Sequence, residues 1–340
     1  MTKKKILLFI VVTMLFGISM GCQSPSSYGD SSYGDATISY LLNVSHKPYL
    51  YSYDIDTQQE SRFRAGKNEK DVFWFLYDVY DGGNIAVSNK DEVYILDSAG
   101  MSKYEDILMG IVAIKRVGDV IFIISQWIDT MGEMNIWVYN NDFSERLYYE
   151  AVPGYYCIDS VTRNGSEIIF TSYDMKAQTS SVHRLNLDNP VKIQGISSQV
   201  VFDSVAQTIP IEADGKLYLF INSIDINNND YLHLATLYSV EEDRSLAKIK
   251  EFDKRLFSAW HSGNDLYLLL GVNQTSLYSL SLESFEERII YTTEMSETMG
   301  RAYILAGRRY LVSDKGLYRF ENGVVEKIRS WDTRLTNVYN

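Results

Sequence analysis

The chain has 340 residues, 46% of them hydrophobic and 13% aromatic, with 26 tyrosines and a formal net charge of -12. That apolar content excludes a disordered chain, and the acidic balance excludes a general grip on nucleic acid or broad docking on anionic lipid. With only Cys22 and Cys157 present, no disulfide framework is expected.

The first segment opens with Lys3, Lys4 and Lys5, continues through an apolar run from Ile6 to Phe16, and closes on Ile18-Ser19-Met20-Gly21-Cys22. A basic start, a short apolar centre and small residues before a cut site read as an export signal over residues 1–21. The apolar stretch is shorter than the ~20 residues that a membrane-spanning helix needs. Its Gly-Cys ending resembles a bacterial lipoprotein signal, with Ser19 standing where Leu is most common. The resemblance implies that Cys22 becomes the lipidated first residue and anchors the chain on the extracytoplasmic side of a bacterial membrane. Residues 22–36 contain Ser26-Ser27-Tyr28-Gly29-Asp30 repeated as Ser31-Ser32-Tyr33-Gly34-Asp35, a small, polar composition that reads as a flexible tether. Loss of the three signal lysines takes the charge from -12 to about -15 by the same count.

From residue 37 to 340 one five-residue pattern recurs: apolar, aromatic, any, apolar, then Asp, Asn, Glu or Ser. The copies begin at Leu50, Val93, Ile136, Val182, Leu237, Leu277 and Leu317, and their second positions are 43, 43, 46, 55, 40 and 40 residues apart. His183 fills the aromatic slot of the fourth copy, where a packed ring suffices. A tight polar turn and a short apolar run precede six copies, as in Asp214-Gly215 before Leu217-Tyr218-Leu219-Phe220. Another β-prone segment follows each copy, such as Arg288-Ile289-Ile290-Tyr291. A period of about 40–50 residues with strand-like content is the mark of a β-propeller. The expectation is an all-β, seven-bladed β-propeller with four antiparallel strands per blade, A to D from the centre outwards, and the pentad as strand C. Unit one has no strand A before Thr37, and Leu335-Thr336-Asn337-Val338-Tyr339 is left over at the other end. The ring is therefore expected to close with the C-terminal strand joining the first blade.

No phosphate loop, nucleophile elbow or metalloprotease helix is present in the sequence. The reading leans away from an enzyme, with no cofactor and no metal expected. His46, His183, His233 and His261 fall in different units, which gives zinc little support. Trp260-His261 with Asp265 across a turn is a candidate acid–base pair, against the simpler reading of packing between blades. The stretch Asp225 to Asp230 resembles a calcium loop but has Asp230 in place of the needed Gly, and a solvated hairpin accounts for it. Cys157 reads as a small buried core residue.

Loop length points to a binding surface. The B–C connections of units three to five are long, about 126–135, 173–181 and 222–231, against 272–275 in unit six. B–C and D–A loops share one face, so three long neighbours raise a wall there. The binding candidates on it are Trp127, Asp129, Glu133, Tyr173, Asp174, Asp225 and Asp230. Aromatic and acidic groups together suit a protein or peptide partner. The pentads resemble those of exported bacterial propellers grouped with TolB-like, quinoprotein-like and YWTD-like repeats, over residues 38–340. The resemblance implies architecture and carries over no functional residue. The expected function is a monomeric, membrane-tethered propeller serving as a protein- or peptide-binding scaffold. The alternatives are a carbohydrate-active or other hydrolytic propeller and a small-ligand sensor.

Overall fold

The computed structural model describes residues 37–44, 47–62, 74–80, 83–88, 93–97, 100–103, 111–117, 120–125, 133–153, 162–164, 167–174, 179–188, 194–195, 205–224, 233–272 and 274–331. All regular structure in them is β, and every sheet is an antiparallel meander of consecutive strands. Five sheets are complete blades, with four strands of four or more residues each; they span 74–103, 111–153, 205–252, 255–292 and 299–330.

The expectation of seven four-stranded blades is corrected by the two remaining sheets. The sheet over 37–62 has three strands, Thr37–Val44, Lys47–Asp54 and Glu60–Arg62. The sheet over 162–195 tapers on both sides, from Thr162–Asn164 to a final Gln194–Gly195. The causes are local. The sequence before Thr37 is the small, polar Ser/Tyr/Gly/Asp repeat, which has no apolar run to serve as an inner strand. In the other, Pro190 comes four residues after the end of strand Thr179–Asn186, and proline cannot donate to a strand ladder. The expected closing strand at 335–339 lies outside the described residues, as do Cys22, the tether, Cys157 and the 225–230 stretch.

The pentads earn their repetition through packing. In the last three blades the apolar first residue is buried, with Leu237, Leu277 and Leu317 0–1% exposed, and the aromatic that follows is buried in two of them, Tyr278 and Tyr318, and half-buried in the third, Tyr238. The ladder to the outer strand slips between these two residues in all three blades, at Leu237/Tyr238, Leu277/Tyr278 and Leu317/Tyr318. The skipped residue is each time an isoleucine, Ile249, Ile290 or Ile328. A bulge twists the outer strand and re-aims one side chain. Ile249 and Ile290 accordingly pack onto the cores beneath them.

Cores lie between blades rather than within them. Phe122, Ile124, Ile136 and Val138 meet Ile168, Phe170 and Leu185 across one seam, and Trp260, Leu269 and Leu277 meet Met299, Leu311 and Tyr318 across another. Second strands are covered on both faces, which explains continuous apolar runs such as Ile121-Phe122-Ile123-Ile124, all 0% exposed. Each such side chain contributes ~1.5–3 kcal/mol by leaving water. Polar latches tie successive blades together. The Asn222 side chain donates to Leu256 O at 2.7 Å and accepts from Leu256 N at 3.0 Å, and Thr275 Oγ1 accepts from Met299 N at 3.0 Å. Between the last blade and the first sheet the ring meets through side chains. Arg329 Nη2 lies 2.6 Å from Glu60 Oε2, its guanidinium sits 4.2 Å from the Tyr53 ring, and Trp331 packs 4.6 Å from Tyr40.

Candidate ligand-binding site

A cavity of about 320 Å³ opens at one end of the seam between blades 255–292 and 299–330. Three local features shape it. The first is the end of strand Arg255–Ser262, which contributes Trp260 and His261. The second is the hairpin after strand Met299–Leu305, where Ala306 and Gly307 both take positive φ, 49° and 69°, before Arg308 and Arg309. That pair of left-handed residues is what a two-residue hairpin of the right twist requires, and it turns two arginines back toward the seam. The third is the end of strand Gly316–Glu321, giving Arg319, Phe320 and Glu321.

An aromatic group forms the floor. Trp260 and Tyr267 are cross-strand partners whose rings stack at 5.5 Å and 9°. Phe320 meets them edge-on or tilted, at 5.6 Å and 5.1 Å. The Arg309 guanidinium lies 4.5 Å from the centre of the Trp260 ring, a cation–π contact worth ~0.5–2 kcal/mol. No carboxylate pairs with Arg309 among the described residues, and burial pulls its guanidinium down to about 10, so it stays charged at neutral pH. Arg319 differs: its Nη2 holds Glu326 Oε2 at 2.6 Å, and its Nε lies 3.9 Å from Glu321 Oε2. The Glu326 carboxylate beside it raises the Arg319 pKa.

Two polar atoms of this floor have no hydrogen-bond partner: Trp260 Nε1, on a side chain only 6% exposed, and His261 Nε2. Buried donors are normally satisfied, and an unmet one costs ~1–3 kcal/mol. The candidate His261–Asp265 pair is not formed: His261 Nε2 has no partner, and Asp265 Oδ2 accepts from Ser279 Oγ at 2.6 Å. With donors outnumbering acceptors, the arrangement suits a ligand that brings acceptor oxygens of its own.

The residues singled out from loop length lie elsewhere. Trp127, Asp129, Asp225 and Asp230 fall outside the described residues. Glu133 opens strand Glu133–Asn140 opposite Pro153, and Tyr173 and Asp174 close strand Glu167–Asp174 opposite Ser180 and Thr179. These three positions share the B–C edge of adjacent sheets, whereas the cavity is built from A–B and C–D hairpin ends, the opposite edge of the ring. Sequence reading missed Arg308, Arg309 and Arg319. The usable signal was the pentad's free third position, Arg only in the fourth copy (Arg184) and the last (Arg319), of which the last alone follows an Arg-Arg pair, Arg308-Arg309, in a chain of net charge -12.

A second polar cluster sits at the far end of the last blade. Glu297, 0% exposed, accepts from Tyr318 OH at 2.6 Å and from Ser313 Oγ, with Lys327 Nζ 3.9 Å away. Burial, and then the Glu297 hydrogen bond, hold the Tyr318 phenol neutral by raising its pKa. This cluster ties the strand Gly316–Glu321 to the incoming chain at 297 and is structural.

No protein-family model matches the chain, and no curated protein matches it either. Solved structures do resemble it. A prolyl endopeptidase structure is similar over 98% of this chain and 55% of its own, at 11% identity and a TM-score of 0.59. The β-propeller domain of the Trilobed protease from Pyrococcus furiosus, described as having an open velcro topology, is similar over 90% of this chain and 96% of its own, at 11% identity and a TM-score of 0.54. The extracellular domain of BT4673 from B. thetaiotaomicron is similar over 79% of this chain and 35% of its own, at 11% identity and a TM-score of 0.52. The chain thus spans about half the length of the endopeptidase and about a third of BT4673. At these identities the likeness establishes the fold: the chain is a β-propeller.

Proposed function

We propose that this protein is an extracytoplasmic β-propeller, tethered to a bacterial membrane through lipid on Cys22, that binds a ligand rather than transforming it. The observation that carries the binding half is the cavity between the last two blades, with its charged donors and its unmet indole N–H. Its volume of about 320 Å³ is at the small end of the ~300–1,000 Å³ usual for ligand sites. Glycoside hydrolysis works with two carboxyls set across the bond. Among the described lining residues the carboxylate is Glu321, which lies 3.9 Å from Arg319. The sequence basis for the tether is the basic, apolar and Gly-Cys run ending at Cys22. A protein or peptide partner on the long B–C loops remains a separate part of the proposal, at the other edge of the ring.

Metabolic labelling with palmitate tests the tether: the wild-type chain is expected to take label and sediment with membranes, and Cys22→Ala to lose both. Label retained by that variant would remove lipid on Cys22 from the reading. Affinity capture from native membranes, with a variant trimmed in the three B–C loops alongside, tests the partner. Turnover of a glycoside panel by purified protein would replace binding with hydrolysis.

A further inference from the structure

The cavity that supports the binding reading also specifies a chemistry. We propose that it takes the oxyanion group, carboxylate or phosphate, of a small molecule, with Arg309 and Trp260 as the principal contacts, so the inference rests on that same reading of the cavity.

Charge argues first. The lining carries Arg308, Arg309 and Arg319 against the lone carboxylate of Glu321, within a chain of net charge -12. An acidic protein repels anions at long range; with Arg319 set against Glu326 and Glu321, Arg308 and Arg309 have no carboxylate partner among the described residues and make a local reversal that favours an anion there. Cations have no comparable partner among the described lining residues. Donor geometry argues second. An indole N–H only donates, and a guanidinium offers five N–H groups and accepts nothing. The Trp260 Nε1 atom is buried and unmet, and Arg309 stands beside the same ring with no carboxylate among the described residues. A planar guanidinium fork matches both carboxylate and phosphate. Neutral hydroxyl groups would leave the Arg309 charge uncompensated. Division of labour argues third. Arg319 is already engaged by Glu326 and approached by Glu321, so it holds the wall. Arg308 is exposed at the hairpin and stands at the mouth, placed to attract the anion rather than to grip it. The Trp260 face is occupied by Arg309 and Tyr267, leaving its Nε1 edge as the group that needs a partner. Because Trp260 Nε1 is itself buried, recognition begins at the Arg309 fork, and the indole N–H joins only as the groups covering it move aside.

Calorimetric titration of the full chain in detergent at low salt provides the test, with inorganic phosphate, glucuronate and neutral glucose as probes. Glucuronate or phosphate is expected to bind, glucose at least about tenfold more weakly, and the tighter of the two anions identifies which oxyanion the site prefers. Arg309→Gln is expected to weaken anion binding by about tenfold or more, Arg309→Lys by less, since it keeps charge and loses the fork. Arg308→Gln is expected to act mainly through the association rate and its salt dependence. Should Arg309→Gln fail to fold, Trp260→Phe and the salt dependence of wild-type binding supply the same discrimination. Glucose bound as tightly as glucuronate would overturn the oxyanion assignment while leaving the binding reading in place. No binding of either anion, or anion affinity unchanged in Arg309→Gln and Trp260→Phe, would overturn the assignment outright. Only turnover of a ligand would count against binding without transformation.

Discussion

Two seams of the same ring are built from different materials. Between blade 111–153 and sheet 162–195 the contact is made by Phe122, Ile124, Ile136, Val138, Ile168, Phe170 and Leu185, each 0–1% exposed. Branched aliphatics and two phenyl rings 5.9 Å apart interdigitate there. Between blades 255–292 and 299–330 the contact is Trp260, Tyr267, Phe320 and Tyr318 beside leucines, with Arg309 laid on the Trp260 ring. Flat rings stack efficiently on their faces and leave space at their edges, and polar edge atoms make that space useful. One seam therefore supplies cohesion and the other supplies a site. The repeat dictates that both seams exist; the side chains decide which does what.

The sharpest test of this contrast is to cut a large ring from the cohesive seam. Phe170 is 0% exposed and touches both Phe122 and His183. Phe170→Ala is expected to cost ~3–5 kcal/mol in urea unfolding, through lost burial and a cavity that rigid sheets cannot collapse. A loss below ~1 kcal/mol would mean that this seam is not the cohesive one.

His183 gives the same seam a pH dependence. Its ring stacks on Phe170 at 5.0 Å and 21°, and burial lowers its pKa from 6.5 to about 4, against an opposing pull from the Glu150 carboxylate. The folded pKa is the lower one, so between 6.5 and 4 the unfolded chain takes up a proton that the folded chain refuses. Its contribution is intact above pH 6.5 and is lost as pH falls toward 4, by about 3 kcal/mol at the end of that window. His183→Phe keeps a ring in place and is expected to flatten this part of the acid profile relative to wild type. Unfolding curves at pH 7, 5.5 and 4.5 would read it, and parallel profiles for the two proteins would show that His183 is not the cause.

The β-propeller was legible because each repeat must satisfy the same packing problem. Apolar, aromatic and turn residues recur at Leu277-Tyr278 and Leu317-Tyr318 because each blade buries the same positions. Blade completeness was not legible from the pentads, since they report the third strand and say nothing of its neighbours. The sheet around Val182-His183 carries a full pentad and still tapers to Thr162–Asn164 and Gln194–Gly195, which nothing in the pentad itself announces. The cavity escaped for a different reason. Arg309 and Phe320 are cross-strand partners, but Trp260 comes from the preceding blade, and that meeting is a property of the ring. Loop length drew attention to one edge of the ring; the unmet donor lies at the other. Of the cavity lining only Trp260 and His261 stood out in sequence, as packing between blades or an acid–base pair with Asp265, whose Oδ2 accepts from Ser279 instead.

The smallest expected change in stability is the one that separates the two seams most cleanly. Trp260→Phe removes the indole nitrogen and part of the ring while keeping an aromatic group beneath Arg309. The lost area destabilises. Removing a buried donor that has no partner works in the opposite direction. These terms nearly cancel, and unfolding free energy is expected to change by less than ~1 kcal/mol, far less than for Phe170→Ala. Anion affinity, by contrast, is expected to fall, because the deleted N–H is the donor that the ligand satisfies. A variant as stable as wild type but weaker in binding places Trp260 in the site. A stability loss matching that of Phe170→Ala would place it in the core instead, and the two seams would then be built for the same purpose.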